Sequence, residues 1–156
     1  MKQFSTQLKE YFLQLLSVKN YNHSLQNLIN YLTSDNITTL GFHATLENNE
    51  IHNITSMKHE LLTFYCDLKR LIQMGDNYIS YEHLEEIHQL KRLFQINEED
   101  LNKYKNEEIK VIVDAQSKSL NKRTDLKKSE CKKNLYLLKE LLGLQNSELT
   151  TNISII

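Results

Sequence analysis

Residues 82–101 read EHLEEIHQLKRLFQINEEDL, and residues 130–149 read ECKKNLYLLKELLGLQNSEL. Both stretches run through an amphipathic helix, a break, an apolar residue and a polar cap that precedes a leucine. A repeated unit of this kind predicts a scaffold of stacked helical hairpins. Chance is the alternative, because any two amphipathic helices can be aligned until their leucines agree. The identical pairs are Glu82/Glu130, Leu90/Leu138, Lys91/Lys139, Leu93/Leu141 and Leu101/Leu149.

The composition favours helices along the whole chain. The 156 residues include no proline and only three glycines, so the Gly-rich turns of doubly wound and barrel enzymes are missing. Apolar residues recur at helical spacing in successive segments. We therefore expect an all-α fold, a single-domain bundle of about six amphipathic helices over residues 1–156.

Three parts of that domain are predicted to be helical. They are residues 1–33 as a helical hairpin, and residues 56–117 and 124–149 as stacked helices that carry the internal repeat. The polar stretch from Ser117 to Arg123 is the predicted linker between the last two parts.

Residues 34–55 break the helical pattern. Their β-branched residues and the central Asn48-Asn49 pair permit one small β-hairpin near residues 37–54. An irregular loop fits the same residues equally well.

Charge is segregated along the chain although the net charge is only -1. Residues 76–108 carry nine acids and four bases, whereas residues 109–140 carry four acids and nine bases. Either neighbouring helices pair these charges, or the surface is bipolar and offers two docking patches. The basic segment 118–133 is also a candidate nucleic-acid interface. Its candidate residues are Lys122, Arg123, Lys127, Lys128, Lys132 and Lys133.

No motif of catalysis is present. The chain lacks the Gly-rich phosphate loops, and no Ser, Cys or Thr stands in a nucleophile motif. Cys66 and Cys131 have no metal-binding spacing and are expected to be small buried residues. No signal peptide and no membrane span of roughly 18 apolar residues is predicted. We therefore expect a cytoplasmic protein that is not an enzyme and has no membrane partner.

Residues 71–101, LIQMGDNYISYEHLEEIHQLKRLFQINEEDL, resemble the TerB-like (tellurite-resistance) helical domain family. In that pattern a helix ends at an acidic turn, a β-branched residue follows, and an acidic residue opens the next helix. Asn77 stands where the family has glycine, and His83 stands at the usual acidic position seven residues after the turn. The matching positions are Asp76, Ile79, Glu82, Leu93, Ile96 and Leu101.

The resemblance implies a metal-associated helical scaffold of bacterial stress and defence systems. It also implies Asp76 and Glu82 as ligands if a divalent metal binds, and no other cofactor is expected. The predicted function is a non-catalytic bacterial protein-interaction or scaffold module, with another protein or a second copy as its partner. The alternative is a small nucleic-acid-binding regulator that uses residues 118–133.

Overall fold

The computed structural model describes residues 1–104 and 106–144, which form eight α-helices, one short 3-10 helix and no strand. The all-α prediction is confirmed, with eight helices among the described residues in place of about six. The helices are α1 (Thr6–Val18), α2 (His23–Leu32), α3 (Thr39–Asn48), α4 (Lys58–Asp76), α5 (Tyr81–Leu93), α6 (Glu98–Lys103), α7 (Asn106–Lys122) and α8 (Lys128–Leu141), with the 3-10 helix at Ile54–Met57.

The chain divides into two compact units, Met1–Leu68 and Lys69–Ile156, and the boundary falls within α4. The first unit begins with two capped helices that pack against each other. Ser5 Oγ accepts the Leu8 N–H at 3.2 Å, and Asn22 Oδ1 accepts the Leu25 N–H at 2.8 Å. Each cap satisfies one amide that has no partner inside its own helix.

Aromatic side chains form one cluster in the first unit, beside its buried leucines and isoleucines. The Phe12 ring lies 5.3 Å from that of Phe4 and 5.7 Å from that of Phe64, between ring centroids. Tyr21 packs edge-on against Phe64 at 5.5 Å, and its hydroxyl donates to Asp67 Oδ2 at 2.7 Å. The cluster therefore buries large apolar rings and also satisfies the one polar end of Tyr21.

Helix α3 replaces the β-hairpin or loop predicted near residues 37–54, and that prediction is wrong. Thr38 serves as a helix cap, since its Oγ1 accepts the Gly41 N–H at 2.9 Å. Phe42 and Leu46, four residues apart, form the buried face of the helix. A β-branched residue at a helix start favours capping over strand formation when the next apolar residues have helical spacing.

Gly41 is the residue that this corner of α3 requires. A Cβ at this position would clash with the hydroxyl oxygen of Tyr31. That hydroxyl donates to the Thr38 carbonyl at 3.2 Å and accepts the Thr38 N–H at 2.9 Å. A larger residue would therefore displace the tyrosine that ties α2 to the start of α3.

The apolar spacing of residues 97–113 fits one helix, but the structure divides this stretch, because α6 ends at Lys103 and α7 begins at Asn106. This division adds one helix to the number predicted. The linker predicted at Ser117 to Arg123 is also wrong, because α7 continues to Lys122. Ser117 is buried and its Oγ donates to the Val113 carbonyl at 2.8 Å, so this polar stretch continues α7 with Ser117 on the buried face.

Helices α5 and α8 pack against each other and end in the same way. At the end of α5, the Gln95 N–H donates to Arg92 and the Ile96 N–H to Lys91, both at 3.1 Å. At the end of α8, the Gly143 N–H donates to Glu140 at 3.0 Å and the Leu144 N–H to Lys139 at 2.8 Å. This is the Schellman pattern, which places one residue in the left-handed region.

The two aligned stretches differ in detail. Leu90 and Leu138 are both fully buried, whereas Leu141 is buried and its counterpart Leu93 is half-buried. The second stretch continues to Leu149, and residues 145–149 lie outside the described residues.

The left-handed residue of α5 is Gln95, at φ 53°, and that of α8 is Gly143, at φ 71°. We expect Gln95→Gly to raise the free energy of unfolding by about 1 kcal/mol, because glycine carries no Cβ penalty there. Gly143→Ala should lower the free energy of unfolding by at least about 1 kcal/mol. Alanine would be strained in the left-handed conformation, and its Cβ would also press against neighbouring atoms. The new Cβ would lie 3.1 Å from the Glu98 backbone.

Urea unfolding followed by circular dichroism measures both changes. Gln95→Ala is the control, because alanine keeps the left-handed strain and should give no gain. A loss of stability in Gln95→Gly would contradict the interpretation.

Candidate functional site

A buried glutamine holds the turn between α4 and α5. The side chain of Gln116, on α7, bonds both backbone groups of Ile79, with Oε1 accepting the Ile79 N–H at 2.8 Å. Its Nε2 donates to the Ile79 carbonyl at 2.9 Å. One side chain therefore satisfies the donor and the acceptor of a residue that belongs to no helix.

Two further amides complete this network, which we call the amide clamp: Gln73, Gln116, Asn134 and the backbone of Ile79. Asn134, on α8, accepts from Gln116 Nε2 at 2.6 Å and donates to the Ile79 carbonyl at 2.8 Å. Gln73, on α4, donates to Gln116 Oε1 at 3.1 Å and to the Ile112 carbonyl at 2.7 Å. The clamp is buried and connects α4, α7 and α8 to one turn. All of its hydrogen bonds form together in only one arrangement of these helices.

The clamp lies beside the predicted metal ligands. Asp76 is the last residue of α4, and Asn77 follows at φ 66°. Asparagine adopts this left-handed conformation more readily than other non-glycine residues. It therefore serves in the turn where the TerB-like pattern has glycine.

His83 lies between two carboxylates. Its Nε2 is 4.0 Å from Asp76 Oδ2, and its Nδ1 is 3.2 Å from Glu86 Oε1. Glu82 is exposed on the first turn of α5. His83 and Glu86 were not among the predicted site residues, although the seven-residue spacing from Asp76 to His83 is present in the sequence.

This arrangement does not converge on one ion. Asp76 and Glu86 face different ring nitrogens of His83, which point in different directions. Among residues 1–104 and 106–144, no three His, Cys, Asp or Glu side chains are grouped so that they could hold a metal ion. Metal binding by Asp76 and Glu82 stays a prediction.

The candidate nucleic-acid residues lie at one end of a helical hairpin. Helices α7 and α8 pack against each other in antiparallel directions. Gln116 bonds to Asn134, and the later residue Leu120 lies beside the earlier residue Cys131, with 4.0 Å between the Leu120 carbonyl oxygen and the Cys131 Sγ. The turn between these helices therefore brings the end of α7 and the start of α8 together. We call this end the lysine-rich tip, and its exposed lysines are Lys118, Lys122, Lys127, Lys128, Lys132 and Lys133.

Arg123 differs from these lysines because it is held within the fold. Its guanidinium donates to Asp125 through two bonds of 2.6 and 2.8 Å and lies 4.0 Å from the centre of the Tyr78 ring. The hydrogen bond to Asp125 is the main cause that raises the pKa of Arg123, and the same bond lowers the pKa of Asp125. Arg123 therefore contributes less free charge to the tip than its position suggests.

The six lysines of the tip have no ion pair within the part of the chain that the structure describes. Pairing between the acidic block 76–108 and the basic block was one of the two sequence-based explanations. At the tip, the described residues do not provide it. The side chains of all six lysines are exposed.

Two of these lysines also act against the helix that they begin. Lys127 occupies the N-cap of α8 and makes no side-chain cap hydrogen bond, and Lys128 is the first helical residue. The amino end of a helix carries a partial positive charge and favours Asp, Asn, Ser or Thr as its cap. The positions of these two lysines are therefore not explained by the stability of α8.

The two cysteines are free and buried, as predicted. Cys66 is fully buried on α4, and burial raises the pKa of the Cys131 thiol on α8. Among the described residues, no helix has the length and apolar character to cross a bilayer. Comparisons with protein-family models, curated proteins and solved structures found no match.

The amide clamp predicts a large effect of one substitution. Gln116→Leu should lower the free energy of unfolding by about 3–5 kcal/mol, because several buried polar groups would lose their partners at once. Asn121→Leu on the same helix is the control, since Asn121 is exposed. Urea unfolding measures both, and a small effect of Gln116→Leu would show that the clamp contributes little.

The cap of α8 predicts a gain in stability. Lys127→Asp should raise the free energy of unfolding by about 1 kcal/mol, because the new carboxylate would cap α8 and favour its dipole. The matched comparison is Ser80→Ala, which removes the Ser80 Oγ bond to the His83 N–H at the start of α5. That change should cost about 1 kcal/mol. Thermal unfolding checks both signs.

Proposed function

We propose that the chain is a non-catalytic bacterial protein-interaction or scaffold module that acts in stress or defence. The resemblance of residues 71–101 to the TerB-like family supports the biological setting, and the aligned stretches 82–101 and 130–149 support a repeat architecture. The lysine-rich tip is its docking surface, and another protein is its partner.

One observation carries this proposal. Six exposed lysines crowd the tip without an ion pair among the described residues, and Lys127 and Lys128 oppose the dipole of α8. Surface features that act against local stability are expected at functional positions. A docking role explains why lysines occupy this helix start.

The amide clamp supports a scaffold role. Gln116 and Asn134 lie on the two helices that carry the tip, and both bond to Ile79. This shared attachment fixes α7 against α8, so the lysines are presented on a rigid support. Preformed surfaces lose less conformational entropy when they bind.

Nucleic-acid binding by the tip is the second candidate. Residues 118–133 contain seven bases and two acids, a local charge of +5 that favours phosphate. Two facts weigh toward a protein partner: the whole chain has a net charge of -1, and Arg123 is held by Asp125 and Tyr78. Arginine is the side chain best suited to reading base edges.

A cytoplasmic location is part of the proposal. Both cysteines are free thiols, which suits a reducing compartment.

Charge reversal at the tip tests the proposed function. The variant carries Lys127→Glu, Lys128→Glu, Lys132→Glu and Lys133→Glu together. We expect its free energy of unfolding to equal or exceed that of the wild type, within about 1 kcal/mol, because no ion pair is lost. Thermal unfolding and a gel-shift assay at low salt are run on both proteins, and no shift with nucleic acid is expected.

Lys91→Glu is the control for a structural lysine. Lys91 is half-buried, burial lowers its pKa, and its Nζ donates to the Glu140 carbonyl at 3.4 Å. A carboxylate there would face Glu98 and Glu140 and should destabilise the protein clearly. If the fourfold variant is destabilised as much as this control, the tip is structural. A gel shift that the fourfold variant abolishes would favour the nucleic-acid candidate.

A further inference from the structure

The outward face of α8 carries an aromatic side chain among the lysines of the tip. Tyr136 is 57% exposed, four residues after Lys132 and three after Lys133, so the three side chains are neighbours on the helix surface. The opposite face of α8 is the buried one. Tyr136 is therefore not part of the core that holds α8 in place.

A comparison within the chain shows what distinguishes this tyrosine. Tyr81, the first residue of α5, is 52% exposed and is followed by the exposed Glu82. Single exposed aromatic residues are common and need no special explanation. Tyr136 differs because exposed lysines precede it on its own helix face.

We propose that Lys132, Lys133 and Tyr136 bind an acidic segment of a partner protein that carries an apolar or aromatic residue. This inference rests on the proposed function and names the chemistry of the partner. The lysines attract the carboxylates of the segment, and the tyrosine ring covers its apolar residue. Tyrosine is enriched among residues that dominate binding energy, and surrounding charges set association rate and specificity.

The observations favour an acidic protein segment over nucleic acid. The tip has lysines, which attract charge without the planar fork that arginine uses for bases and phosphates. Modules that bind nucleic acid are commonly basic as whole domains, whereas this chain has a net charge of -1. Tyr136 is the one aromatic residue within α8, Lys128–Leu141, and single-strand binding typically stacks successive bases on several rings.

Fluorescence anisotropy with defined probes tests the inference on the full chain. The first probe is a labelled peptide of about four helical turns, rich in Glu with two Phe residues one turn apart. The second has Gln in place of every Glu, and the third has Ala in place of both Phe. The fourth is an oligodeoxythymidine of the same net charge as the first.

We expect saturable binding of the first probe, weakened as salt rises from about 0.05 to about 0.5 M. Tyr136→Ala should weaken this binding about tenfold, the typical effect of truncating a central aromatic contact. Tyr81→Ala is the matched control and should leave it unchanged. Lys132→Glu with Lys133→Glu should abolish it. The probe with Gln in place of Glu should not bind. The affinity of the wild-type protein for the probe with Ala in place of Phe should equal the affinity of Tyr136→Ala for the first probe.

Three results would overturn this inference. They are no binding of the first probe, equal effects of Tyr136→Ala and Tyr81→Ala, and tighter lysine-dependent binding of oligodeoxythymidine. The proposed function fails separately, through destabilisation of the fourfold Lys→Glu variant. A stable fourfold variant with no binding of the acidic peptide therefore removes this inference and leaves the docking surface with a different protein partner.

Discussion

The side chain of Gln116 does for Ile79 what a neighbouring strand does in a sheet, because it pairs with both backbone groups of that residue. The second unit depends on this contact. Asn134 and Gln73 join the same network from two other helices, so three helices are fixed against one turn. Apolar packing alone tolerates small shifts between helices, whereas buried amides need one geometry to satisfy all their partners. The network therefore fixes the positions of α7 and α8, the two helices that carry the lysine-rich tip.

Helical periodicity and capping were sufficient to predict most of the helices. Ser80 and Asn97 each cap a helix and precede an acidic first turn, which is a helix-start pattern that a sequence can show. Helix α3 was missed because its threonines have strand propensity, although the possible cap at Thr38 and the helical spacing of Phe42 and Leu46 are present in the sequence. The contact of Tyr31 with Thr38 also holds the start of this helix, and it depends on tertiary packing, which cannot be seen in one segment.

The charged residues of the candidate site could be predicted from the sequence, but its buried polar residues could not. The lysines of the tip were evident from charge density alone, and their exposure follows from the cost of burying a charge. The amide clamp was not predictable, because Gln and Asn are common on surfaces and burial depends on which partners the fold supplies. The approach of His83 to Asp76 belongs to the same class, since it requires the turn at Asn77 to bring two helices together.

The two buried thiols provide a natural pair of reporters on local opening. Cys66 lies in the unit Met1–Leu68, and Cys131 lies in the unit Lys69–Ile156. A thiol reagent reaches either buried sulfur when the structure around it opens, so each labelling rate reports the free energy of local opening at that cysteine. With only these two cysteines, the wild-type chain already permits residue-resolved chemical footprinting without any engineered label.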